Sequence, residues 1–145
     1  MQPDHEFAKE WLHKAKNDLL AAKAVLKSEQ GITDIPCFHA QQTVEKSLKG
    51  FLTYNHISFS KTHDLMIILS QATKIIPELE KYRDICEELS TFAVDIRYPG
   101  GLSEPPAEET MRFIEQAEQI LTHIKRILSK DSKKLSPDQT TLPFN

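Results

Sequence analysis

Apolar residues recur at steps of three and four along nearly the whole chain, and no stretch alternates in the period of two that a strand requires. The first stripe, over residues 4–28, sets Phe7, Trp11, Ala15, Leu19, Ala22 and Leu26 on one face and breaks at Gly31. A second helix opens near Pro36, a residue suited to a first turn, and continues to about Tyr54. After NHISFSK, either Thr62 or Asp64 caps a third helix with Leu65, Ile68, Leu69, Ala72 and Ile76 inward. Pro77 ends that run, and Leu79, Tyr82, Cys86, Leu89, Ala93 and Ile96 form a fourth stripe that stops at YPGG. A fifth helix, from about Ala107 to Leu128, turns Met111, Ile114, Ala117, Leu121, Ile124 and Leu128 inward. The pattern predicts an all-α, up-and-down bundle of about five helices.

The chain has 145 residues, enough for one domain with an unstapled core. The pattern places this domain at 1–130. The polar, proline-spotted segment 131–145 reads as a disordered tail. The formal net charge of −3 removes the broad basic surface of a nucleic-acid binder, so any nucleotide contact must come from a local cluster. Cys37 and Cys86 sit among apolar residues at helical spacing and read as two buried thiols in a reducing compartment. No cysteine or histidine spacing matches a metal site, and no cofactor is expected. No apolar run approaches membrane-spanning length and MQPDHEF is not a signal peptide, so a cytoplasmic protein is expected.

The stretch CFHAQQTVEKSLKGFL breaks the apolar pattern. On a wheel, Gln41 falls inside the apolar arc between Leu48 and Leu52, and Glu45 falls on its edge. Gln42, Lys46 and Lys49 continue outward as a polar strip. Asp18 faces the core edge of the first helix, and Arg97 follows Ala93 by one turn on the fourth. Buried charge is costly unless paired, so Asp18, Gln41, Glu45 and Arg97 are candidates for one polar cluster, with Lys46 and Lys49 at its mouth. Two readings stand at even odds: an ion network that only sets helix register, and a binding site. RYPGG reads either as a helix stop or as an Arg97–Tyr98 pair over a groove, Arg97 for phosphate and Tyr98 for stacking. KTHDL reads either as a helix cap or as an anion site at a helix N-terminus, with Lys61 and His63 beside it.

Taken together, WLHKAKNDLLAA, AQQTVEKSLK, KTHDL and DIRYPGG, in this order, resemble the HEPN domain family over roughly residues 5–128. The resemblance implies a helical bundle that is usually homodimeric, often encoded beside a minimal nucleotidyltransferase in a toxin–antitoxin-like system. It implies either nucleotide or RNA binding or metal-independent ribonuclease activity. The ribonuclease branch carries Arg, four to six residues, then His. Arg97 matches the arginine, but Tyr98, Pro99, Gly100, Gly101, Leu102, Ser103 and Glu104 follow it and no histidine arrives. The chain thus resembles an RYPG-type branch lacking that motif.

The expected function is a non-catalytic homodimeric module that binds a nucleotide or RNA through Gln41, Glu45, Lys46, Lys49, His63, Asp95, Arg97 and Tyr98. In that reading Glu45 and Asp95 orient Arg97 or a base edge. Two alternatives stay open. One is a ribonuclease using Arg97 with His63 as substitute acid or base. The other is a pure interaction bundle. Phe38 and Phe59, poorly explained by the core arcs, add a slight hint of a dimer surface.

Overall fold

The computed structural model describes residues 3–59, 61–93 and 104–133. They form α1 (Pro3–Lys27), α2 (Asp34–Tyr54), α3 (Leu65–Thr73), α4 (Arg83–Ser90) and α5 (Ala107–Lys133). A 3₁₀ segment, Pro77–Tyr82, leads into α4, and a second, Thr91–Ala93, follows it. No strand occurs among the described residues.

The bundle is built around α2, which packs against α1, α3, α4 and α5. Its buried face carries Cys37, Ala40, Val44, Leu48, Phe51 and Leu52. Two hydroxyls share the buried surface with their hydrogen bonds made, because each donates to a carbonyl one turn back. Thr43 Oγ1 donates to the His39 carbonyl at 2.8 Å, and Ser47 Oγ to the Thr43 carbonyl at 2.7 Å.

The inward face of α1 differs from the expected one. Ala8, Leu12, Ala15, Leu19 and Ala22 are buried, whereas Phe7 is 55% exposed, Trp11 is half-buried and Leu26 is only partly covered. The stripe steps by 3.5 residues with alanine at every seventh position, so α1 lies close on α2. At Gly50 a Cβ would come within 3.1 Å of Trp11 Cβ and 3.3 Å of the Ala8 carbonyl oxygen. That close approach leaves no room for a large aromatic between the helices, and Phe7 is turned to the flank. A similar shift corrects α5. Met111 is 50% exposed, while Thr110 and Phe113 take the inward positions. Thr110 Oγ1 donates to the Pro106 carbonyl at 3.0 Å and meets the Cys37 thiol at 3.6 Å.

Asp64 is the residue that caps α3, accepting from the Met66 amide at 2.9 Å. Leu79, Tyr82, Cys86 and Leu89 are buried as their periodicity predicts, but over a 3₁₀ segment followed by a short α-helix, not one continuous helix. Ile96 lies outside the described residues, as do residues 134–145 of the expected tail.

Both thiols are free and buried. Burial pushes Cys37 up to about 11, with a smaller downward contribution from the Thr110 hydroxyl, and Cys86 up to about 12. The thiolate is the reacting species. Near-complete resistance of both cysteines to a thiol reagent is therefore expected at about pH 8, with both labelled at once in denaturant. Equal labelling rates with and without denaturant would contradict the burial.

His5 supplies a pH-dependent increment of stability. Its ring stacks on Tyr54 at 4.0 Å and is 8% exposed. Burial first, and then the neighbouring His56, hold its pKa below the ordinary imidazole value, against upward contributions from Asp131, Asp4 and Glu6. The fold thus favours neutral His5. Its contribution is fully present above the unfolded imidazole pKa and is lost as pH falls through the depressed folded one. His5→Phe keeps a stacking ring and removes the titration. The stability lost between about pH 7.5 and about pH 5 should be smaller in this variant than in wild type when urea midpoints are compared. An unchanged loss would acquit His5.

Candidate functional site: a buried ion network under an exposed histidine

Polar side chains of α2 gather where the helix meets the segment leading into α3. Gln41 is 0% exposed, Glu45 3% and Lys49 6%. Helical spacing of four stacks them on one line. Gln41 Nε2 donates to Glu45 Oε1 at 3.2 Å, and Lys49 Nζ to Glu45 Oε2 at 3.0 Å. The same carboxylate meets His63, whose Nδ1 lies 3.0 and 3.2 Å from its two oxygens. Gln41 Nε2 also donates to the His63 carbonyl at 3.1 Å, and its oxygen accepts from Gln42 Nε2 at 2.7 Å. Among the described residues no buried side-chain nitrogen or oxygen lacks a hydrogen-bond partner, which is what burial of this network demands.

The imidazole is the accessible end of this network. Its side chain is 55% exposed, against 4% for the Glu45 side chain. A carboxylate on Nδ1 fixes the ring's orientation and favours the tautomer with Nε2 as acceptor. The arrangement can bind an anionic group through protonated Nε2, or move a proton at that atom.

Lys46 belongs to a second, adjoining cluster. Its Nζ donates to Asp18 Oδ2 at 2.6 Å, and Asp18 Oδ1 lies 2.8 Å from His39 Nδ1. Asp18 therefore does bring α1 into the polar seam, but to Lys46 and His39 and not to Glu45. Lys49, placed by the wheel on the outward strip, is buried instead, because the segment after α2 covers it. Its ammonium lies 5.7 Å from the Trp11 ring centre and 5.6 Å from that of Phe59. His39, Trp11 and Phe59 carried no polar signal of their own, although the seven-residue spacing from His39 to Lys46 sets both on one face of α2. Asp95, Arg97 and Tyr98 lie outside the described residues.

Amides at the start of α3 have partners within the chain. The Leu65 amide donates to Ser90 Oγ at 3.1 Å and the Met66 amide to the Asp64 carboxylate. Asp64 also places negative charge at this helix start, and its own amide donates to Thr62 Oγ1 at 3.1 Å. Cavities of about 430, 530 and 710 Å³ open elsewhere, along α5, the end of α2, the 3₁₀ segment and α4. Among the described residues no three His, Cys, Asp or Glu side chains are grouped to hold a metal ion. No described helix is long and apolar enough to cross a membrane.

The profile of the HEPN domain matches residues 8–128, which contain α1 beyond its first turns and nearly all of α5. This chain belongs to the HEPN domain family. Among solved structures it is similar to TT1696 from Thermus thermophilus, with a TM-score of 0.71 over 82% of this chain and 96% of that one. At 24% identity that likeness is one of fold. No curated protein matches the chain. HEPN membership supports a nucleotide-binding or ribonuclease-like helical module.

Proposed function

We propose that this HEPN domain is a non-catalytic module that binds a nucleotide or an RNA end, works as a homodimer, and pairs with a minimal nucleotidyltransferase in a toxin–antitoxin-like system. The observation that supports it most is the buried Glu45 carboxylate holding an exposed imidazole, with Gln41 clamping the same residue by its backbone. The Glu45–Lys49 pair lies within α2, whereas the contact to His63 carries the carboxylate's reach to a side chain that is more than half exposed. In this reading Gln41, Glu45 and Lys49 keep His63 in place, and His63 and Lys46 meet the ligand's charge. Arg97 takes a phosphate, Asp95 orients Arg97, and Tyr98 stacks on a base.

The test is calorimetric titration with ATP, GTP and short RNAs of the wild type, His63→Ala and Arg97→Ala. Binding by wild type that both substitutions weaken about tenfold or more supports the reading, since hydrogen bonds to charged groups are worth that much. A wild type that binds none of them removes it.

The Glu45–His63 pair also supports a second reading, a metal-independent ribonuclease. His63 Nε2 would take the proton of an RNA 2′-hydroxyl, the oxygen would attack the adjacent phosphorus, and the 5′-oxygen would leave with a proton from solvent. Arg97 would stabilise the charged intermediate. This reading expects RNA cleavage in the presence of a chelator, abolished in both variants. Binding is preferred, because no histidine follows Arg97 at the ribonuclease spacing.

A further inference from the structure

Two aromatic rings stand beside the ion network with no part in its hydrogen bonding. Trp11 of α1 and Phe59, in the segment after α2, meet edge to face, with ring centres 6.1 Å apart and planes at 66°. Both are half-buried, and Phe59 packs against the core while keeping part of its surface exposed. The Lys49 ammonium sits against both rings while its charge is held by Glu45, the same carboxylate that holds His63. The rings and the imidazole are thus fixed by one buried pair. Phe7, one turn before Trp11 on α1, is 55% exposed, and Ile57 is 37% exposed. The His56–Asp4 contact at 2.6 Å ties the segment carrying Ile57 and Phe59 to the first turn of α1. The result is a partly exposed aromatic corner that shares the Glu45 carboxylate's surroundings with His63.

We infer that Trp11 and Phe59 form a stacking platform for the base of a bound nucleotide, whose phosphates are met by His63. The inference rests on the nucleotide-binding reading above and adds to it a second base-contacting surface, next to the Glu45–His63 network, that distinguishes a nucleotide from bare phosphate. A flat, uncharged heteroaromatic fits an edge-to-face corner, because one ring offers its face and the other closes the edge. Base stacking on an aromatic side chain is tolerant of base identity, so purine nucleotides of either kind are accepted. Lys49 is committed to Glu45 and acts as a positioning residue. It pins the two rings by cation–π contact and does not reach for phosphate.

Trp11 is the one tryptophan in the chain, so its emission reports on this corner alone. The full-length protein is titrated with ATP and, separately, with inorganic tripolyphosphate, following both tryptophan emission and heat. ATP should quench Trp11, whereas tripolyphosphate should leave emission unchanged and bind about tenfold or more weakly. Phe59→Ala should weaken ATP binding about tenfold and leave tripolyphosphate affinity unchanged, while Trp11→Phe, which keeps a ring, should retain most of the ATP affinity. Equal affinity for the two ligands, or ATP binding by calorimetry with unmoved emission, overturns the platform while leaving the nucleotide reading intact. Emission that shifts with protein concentration alone assigns the rings to contact between copies and also overturns it. If neither ligand binds, the nucleotide reading has failed and the platform falls with it.

Discussion

Glu45→Ala is expected to destabilise the fold by about 3–5 kcal/mol, the cost typical of removing one partner from a buried ion pair. The Lys49 side chain is 8% exposed, so its ammonium cannot recover in water what it loses in the carboxylate. The rings of Trp11 and Phe59 stay beside it, but cation–π contacts are worth only about 0.5–2 kcal/mol. Gln41 loses an acceptor for its amide, and His63 loses the group that orients it. For a domain of this size the loss amounts to roughly 10 °C in melting temperature. Two comparisons separate the causes. Replacing the pair together, Glu45→Leu with Lys49→Met, should cost far less than Glu45→Ala, since an apolar pair of similar volume leaves no orphaned charge. His63→Ala removes a group that is more than half exposed and should cost less than about 1 kcal/mol. Urea midpoints for the four proteins decide it. A Glu45→Ala variant within about 1 kcal/mol of wild type would mean that the ammonium escapes to water and that the network is not a buried one.

A loss of comparable size, about 3–5 kcal/mol, is expected for Phe51→Ala. Phe51 is 1% exposed on the central helix and forms part of the wall of the cavity of about 430 Å³ between the ends of α2 and α5. Truncation removes apolar contacts on the core side and enlarges a space that the surrounding helices, held by α2, cannot collapse to fill. Phe7→Ala is the control. It deletes the same ring from a position 55% exposed, and its stability change should stay within about 0.5 kcal/mol. Chemical denaturation of both variants distinguishes a core phenylalanine from a surface one. Equal losses would place Phe7 in the core after all.

Those two phenylalanines mark how far the sequence could be read. Both are apolar residues at helical spacing, and periodicity alone placed Phe7 in the first stripe. The wheel finds that a helix has an apolar face. It does not find which of two neighbouring lines of that face meets the partner, because this depends on how near the partner's backbone lies. Gly50 and Ala8 set that distance, and they belong to different helices. Met111 was misplaced for the same reason, with Thr110 inward because it returns its hydroxyl to Pro106 and meets the Cys37 thiol.

The polar seam divides in the same way. Gln41 and Glu45 stood out because they interrupt an apolar arc, and an interruption within one helix is a local signal. Their burial and the pairing with His63 follow from where the segment after α2 passes, a contact spanning 18 residues of chain. Lys49 looked like an outward lysine until Phe59 and Trp11 covered it, and Lys46 found Asp18 across the α1–α2 interface. By itself, the sequence determined the helices, most of the core and the residues too polar for the faces they occupy, because period and side-chain chemistry are carried by each segment alone. Only the tertiary structure decided which carboxylate holds which cation and which rings stay open, because those choices are made by distances between segments that no single segment encodes.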